Sequence, residues 1–220
     1  MNAVSGIDEL TTAATRAQSD SATAARAAVD SLPWLSSSLE DDREHGRFDA
    51  WGRSTVIDEN IGAPVISRAL FDELHRRAGI TAQWPVGNAG LLHCYGYLLS
   101  LVETPYGLKR ERWVTPALAE ACALAPDAFL PWLDGTTLLE RAGAVASRII
   151  HGAPSSRTLT VERRPTLVGL TREQGPAALS YAVAAAAETA PLLITLFPVA
   201  DASTVLTEFA STPGLRWNAV

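Results

Sequence analysis

The chain has 220 residues, 47% hydrophobic and 19% charged, with a net charge of −6. That length suits one large domain or two small ones with a proper core. The acidic balance disfavours nonspecific binding to nucleic acid or anionic lipid, and no run approaches the roughly 20 apolar residues of a membrane helix.

Met1 to Gly6 has no basic or apolar leader pattern, so no secretory signal is expected. Met1 to Asp30 is rich in Ala, Thr and Ser. Ile7, Leu10, Ala14 and Ala17 make one thin helical stripe and Ala24 to Val29 another, predicting one or two weakly docked helices with the first residues loose. Ser31 to Ser38 reads as a punctuated connection. In Glu40 to His45, Asp42 and His45 stand three apart, a spacing that suits a divalent metal, but no second acidic cluster completes a site, and a solvated charge run is the plainer reading. Arg47 to Asp58 reads as a strand or ordered loop, and Asp58-Glu-Asn60 as a polar tip. Pro64 to Ala78 has a helical face of Val65, Ile66, Ala69, Leu70 and Leu74, with Pro64 in its first turn and Gly79 as its stop.

The stretch Pro85 to Thr104 gathers the most chemistry. Gly87-Asn-Ala-Gly90 lacks both the Gly-Lys-Ser/Thr of a phosphate loop and the Gly-x-Gly-x-x-Gly of a dinucleotide fold. Its amides, near Gly90, are a candidate anion seat, against the plainer reading of a turn. On a helical wheel, Gly90 to Glu103 separates into a broad apolar side and a side carrying His93, Gly96, Tyr97, Ser100 and Glu103, which predicts an amphipathic α-helix. His93 and Tyr97 lie one turn apart and can meet. A neutral histidine is a competent acid or base near pH 7, although a merely hydrogen-bonded core histidine fits as well. Cys94 follows His93, but adjacent helical residues point about 100° apart, so a Cys-His dyad is disfavoured.

Thr104 to Gly107 reads as a turn. Behind it Lys109, Arg110 and Arg112, with Tyr106 and Trp113, form a basic and aromatic cluster able to grip a carboxylate or phosphate, or simply to sit at the surface. Lys109 is the only lysine in the chain. Such arginine-rich usage resembles that of a high-GC bacterium. Thr115-Pro116 opens a helix to about Leu124, and Pro126 to Trp132 is a second connection. Thr137-Leu-Leu-Glu140 is a capping box before a stripe of Leu138, Ala142, Val145 and Ile149, ending at His151-Gly152. Beyond Gly152 the texture turns to strands: Thr158 to Val161, Thr166 to Leu170, Leu179 to Ala184, and Leu192 to Val199, the last apolar throughout and so expected at the centre of the sheet. A short helix over Ser203 to Ala210 and a strand over Leu215 to Val220 follow.

Helices then strands predict an α+β fold, with residues 1–152 mainly helical, 153–220 mainly β, and a possible shared core. Cys94 and Cys122 both lie in apolar patterns, without disulfide or metal-ligand spacing, which suits a reducing, cytoplasmic compartment. The expected function is a cytoplasmic bacterial enzyme performing metal-free and cofactor-free acid/base chemistry on a small anionic or aromatic metabolite, as a lyase, isomerase, cyclase or hydrolase. His93, Tyr97 and Ser100 are its candidate catalytic residues, and Gly90, Tyr106, Arg110 and Arg112 its candidate ligand-binding residues. The expected partner is a small molecule, with no nucleic acid and no membrane. The alternatives are a non-catalytic partner protein anchored by tryptophans such as Trp34 and Trp132, and a thiol enzyme using Cys94.

Overall fold

The computed structural model describes residues 3–152, 157–161, 164–184 and 190–211. The looseness expected of the first residues, the turn expected at 153–156 and the strand expected over 215–220 fall outside that set. The fold is α+β: helices fill the first two-thirds, and an antiparallel sheet lies in the last third.

Helix α1 (Ala3–Ala17) buries Leu10, Ala13, Ala14 and Ala17, and α2 (Ala22–Asp30) buries Ala25, Ala28 and Val29. Small side chains let the two pack against each other. Helix α3 (Pro33–Glu44) occupies the stretch read as a connection plus a charge run. Its buried residues Leu35, Ser38, Leu39 and Asp42 have helical spacing, but a serine and an aspartate within the stripe hid the periodicity. Asp42 is fully buried. It accepts hydrogen bonds from Tyr95 Oη at 2.5 Å and Thr137 Oγ1 at 2.5 Å, and pairs with Arg47 at 3.1 Å. His45 instead pairs with Asp41, and no cluster of three metal-ligating side chains occurs among the described residues.

A 3₁₀ turn (Arg47–Ala50) leads to β1 (Arg53–Thr55), and β2 (Ile57–Asp58) pairs with β3 (Ala63–Pro64). That pairing is why α4 (Arg68–Ala78) starts later than Pro64. Pro64 is used as a strand residue, and Ser67 caps the helix by accepting from Leu70 N–H. Gly79 ends α4 in the left-handed conformation, as expected.

Strand β4 (Val86–Asn88) pairs with β1 and feeds the central segment. That segment is no regular amphipathic α-helix. It is a π-helical turn (Leu91–Tyr95) followed by a 3₁₀ turn (Gly96–Leu99), and every residue from Ala89 to Ser100 is buried. A helix buried all round has no solvent face, so the two-sided wheel described neighbours rather than exposure. The wider turn leaves backbone groups to satisfy, and the His93 carbonyl accepts from Trp113 Nε1 at 2.8 Å.

After the hairpin β5 (Glu103–Thr104) and β6 (Gly107–Leu108) come α5 (Glu111–Val114), α6 (Ala117–Ala121) and α7 (Leu138–Gly152). Thr137 caps α7, accepting from Glu140 N–H at 3.0 Å. Strands β7 (Arg157–Val161), β8 (Arg164–Leu170), β9 (Ala177–Val183) and β10 (Leu192–Val199) form an antiparallel sheet in the order β10-β9-β8-β7. The apolar strand β10 is therefore at an edge, not at the centre. It is apolar because both faces are covered. Leu193 and Leu196 join the main core with α7, while Ile194 joins a second cluster with Ala202 and Phe209 of α8 (Ala202–Ser211). A register shift between Leu193 and Thr195 lets residues three apart share a face. The edge itself is met by Trp51, in a parallel bridge with Leu193, and by Gly52 N–H, which donates to the Leu193 carbonyl at 2.8 Å. The main core draws on α1 to α7 and on β9 and β10 alike. No helix among the described residues is long and apolar enough to cross a membrane.

Candidate functional site

Four parts of the chain converge on one cavity of about 570 Å³, one of them α8 with Thr204, Val205 and Glu208. The π-helix and its 3₁₀ extension bring His93 and Tyr97, the β5–β6 hairpin and α5 bring Tyr106, Lys109 and Arg112, and β10 brings Thr195 and Phe197. Asp58, at the end of β2, closes one wall.

His93 is almost fully buried, and its Nε2 lies 3.0 Å from Ser54 Oγ on β1. Its ring stacks on Tyr97, with centroids 4.8 Å apart and planes at 27°. Nδ1 makes no well-formed hydrogen bond, although the Ile194 backbone acts on the ring in the direction of protonation. Burial, reinforced by the charges of Arg112 and Lys109, holds the imidazole well below its usual pKa, so it is neutral at pH 7.

The Tyr97 ring also carries two cations, Lys109 Nζ at 5.0 Å and Arg112 Cζ at 5.6 Å from its centroid. Lys109 pairs with Asp58 Oδ2 at 2.6 Å, and its side chain is 15% exposed. Burial and then the Arg112 charge pull the ammonium below the usual lysine range, against the pull of Asp58. On Asp58, burial alone works to raise the carboxyl. Lys109 and the Asn60 N–H outweigh it and hold the group below the ordinary carboxylate range. Arg112 donates to Thr195 Oγ1 at 3.2 Å and lies over the Phe197 ring at 5.8 Å. Among the described residues it forms no salt bridge, in contrast to Arg47, Arg76 and Arg77. Trp113, locked to the His93 carbonyl, fixes the turn of helix from which Arg112 projects.

The cavity thus collects His93, Tyr97, Tyr106 and Arg112 of the residues nominated from sequence. Tyr106 stands at its mouth, 83% exposed. The other three nominees lie elsewhere. Ser100 is fully buried and donates to the Val65 carbonyl at 2.6 Å, because the 3₁₀ turn ends before it and rotates it off the helical face assumed for it. Gly90 is closed in by Trp51 and Leu139, whose atoms would come within 2.6 and 2.8 Å of a Cβ, so it serves close packing and offers no anion seat. Arg110 reaches Thr11 Oγ1 on α1 at 3.4 Å. Cys94 is fully buried and its thiol is pushed up, first by burial and then by the Asp42 charge, which leaves it protonated. Trp132 is buried and packs edge-on against the partly buried Trp34 with centroids 6.3 Å apart.

Sequence reasoning passed over Asp58, Thr195 and Ser54, and placed Lys109 in the basic cluster without giving it a role of its own. Two of them had left a trace: Thr195 is a polar residue inside an otherwise apolar strand, and Lys109 is the one lysine of the chain. Asp58 looked like a loop tip because Glu59 and Asn60 follow it. Comparison with known proteins finds no match among family models, curated sequences or solved structures.

Proposed function

We propose that the protein is an enzyme acting by acid/base chemistry on a small anionic metabolite held in this cavity. The observation that carries the reading is Arg112, a part-buried guanidinium in the cavity wall that makes no salt bridge among the described residues, Asp58 acting on it only through its charge at longer range. A cation desolvated without a counter-charge in contact is costly, and a ligand carboxylate or phosphate removes that cost. The planar fork of arginine suits such a group in two parallel hydrogen bonds. Tyr106, Tyr97 and Phe197 supply aromatic surface for a flat or apolar remainder of the ligand.

His93 is the proposed proton carrier. It is neutral at pH 7 and borders the cavity, and Ser54 and Tyr97 restrain its ring, so it can take a proton without first losing one. The imidazolium it forms would sit beside Arg112 and Lys109, which favours prompt return of the proton. Tyr97 positions the imidazole by stacking. The side chains of the cavity supply this chemistry without calling on a metal or cofactor, and the bacterial, cytoplasmic setting belongs to the same proposal.

The test starts with binding. A panel of small carboxylates and phosphate monoesters should raise the unfolding temperature of the wild type, since a ligand of the native state stabilises by RT ln(1 + [L]/Kd). Arg112→Leu should abolish the shift. With any substrate found in this way, His93→Ala should cut kcat by on the order of 10²-fold or more. Binding that survives in Arg112→Leu, or turnover unchanged in His93→Ala, removes the corresponding assignment.

A further inference from the structure

The structure assigns Lys109 a covalent role: we propose that its amine forms a Schiff base with the carbonyl carbon of a 2-oxo acid whose carboxylate is seated on Arg112. The inference rests on the anion-site reading above and adds the substrate class and the reacting atom.

Three observations carry it. First, Lys109 Nζ and Arg112 Cζ both lie within 6 Å of the centroid of the Tyr97 ring, at 5.0 and 5.6 Å, so amine and guanidinium share one corner of the cavity. In a 2-oxo acid the carboxylate and the carbonyl carbon are directly bonded, and this corner presents one group for each. Second, Asp58 Oδ2, at 2.6 Å from Nζ, is placed to relay protons to and from the amine. Third, apart from the contact of His45 with Asp41, ion pairing elsewhere among the described residues is done by arginine, as in Arg77 with Asp30 and Glu73 and Arg47 with Asp41 and Glu140. An arginine at position 109 would serve a structural pair with Asp58 equally well. A guanidinium does not condense with a carbonyl, whereas an amine does. The only lysine of the chain stands at this cavity wall. Its lowered basicity, caused by burial and the neighbouring Arg112, raises the share of free amine, as a lysine nucleophile requires.

The step balances without any oxidant or reductant. The Lys109 ammonium passes one proton to Asp58, and the Nζ lone pair adds to the carbonyl carbon. A nitrogen proton moves to the former carbonyl oxygen, giving a neutral carbinolamine. Asp58 returns its proton to the hydroxyl, the C–O bond breaks, and water leaves. The product is an iminium that carries the single positive charge the ammonium had brought. His93 then removes a proton from the carbon next to the iminium, giving an enamine and an imidazolium.

The experiment is reductive trapping of the full-length wild type with pyruvate or phenylpyruvate and sodium borohydride, read by intact mass and peptide mapping. Apart from the α-amine of the chain, Lys109 is the only amine available. The expected result is one adduct, mapped to Lys109. It should be absent in Lys109→Arg, which keeps the ion pair, and reduced about tenfold or more at low pyruvate in Arg112→Leu, because a charge-assisted bidentate contact is lost. Labelling confined to the α-amine, or trapping at Lys109 that is undiminished in Arg112→Leu, overturns the proposal. If carboxylates still raise the unfolding temperature of wild type and Lys109→Arg while no adduct is trapped, the Schiff base falls and the anion site stands. If neither shift nor adduct appears, both fall.

Discussion

At the scale of single residues, the site is an exercise in desolvation. His93 and His75 are both buried, and both are held below the ordinary histidine range, chiefly by that burial. His75 lies under β4, where its Nε2 accepts from Asn88 N–H at 3.3 Å. A histidine whose folded pKa is depressed binds fewer protons folded than unfolded once the pH drops below about 6.5. The unfolded chain then takes up protons that the native chain refuses, so stability falls with falling pH. Stability is fully present above about 6.5 and declines below it, by up to about 1.4 kcal/mol per pH unit for each histidine. Urea unfolding at pH 7 and pH 5.5 should show this loss, and His93→Gln should reduce the slope between the two. Asp58, depressed by Lys109, adds a loss of the same sign only at lower pH, below the ordinary carboxylate pKa.

At the scale of elements, the central helix is held by what touches it on every side. Gly90 is where Trp51 and Leu139 press on its first turn. Gly90→Ala should destabilise by about 1–3 kcal/mol through overpacking, measurable as a lower urea midpoint with an unchanged m-value. Much of the element plan could be read from residues. The Thr137 cap, the Gly79 stop and the four strands of the sheet follow from local chemistry that the tertiary fold leaves intact. What could not be read depends on partners distant in sequence. The stripe of α3 was concealed because Asp42 is buried by Tyr95 and Thr137, 53 and 95 residues away. Pro64 was lost to β2, and the π turn has no periodic signature to distinguish it from an α-helix. The site was half legible for the same reason. His93, Tyr97 and Arg112 announced themselves by type and spacing, whereas Asp58 and Thr195 join them only through the fold.

At the scale of the molecule, the helical and β parts are fastened through one apolar core. Ala178, Ala182, Leu193 and Leu196 of the sheet sit in the same cluster as Leu10, Leu35, Leu92 and Leu139. Thermal or urea unfolding should therefore be a single transition, with tryptophan fluorescence and far-UV circular dichroism superimposing. Two resolved transitions would show that the parts are separable. A chain cut after Gly152 would leave Ala142, Val145, Ile149 and Ile150 of α7 without the strands they pack on, and should not fold by itself.

The splint that Trp51 and Gly52 lay along β10 has a consequence beyond shape. An eight-residue apolar strand at a sheet border, with its amides and carbonyls open, is a template on which a second copy can add its own strand. Gly52 can lie so close because it has no side chain; a Cβ there would come within 2.8 Å of Ile194 Cδ1. The segment that helps seat the proposed catalytic histidine, through Ser54 two residues on, thus also covers this edge at Leu193. Substitutions at position 52 are expected to produce insoluble protein before they produce inactive protein.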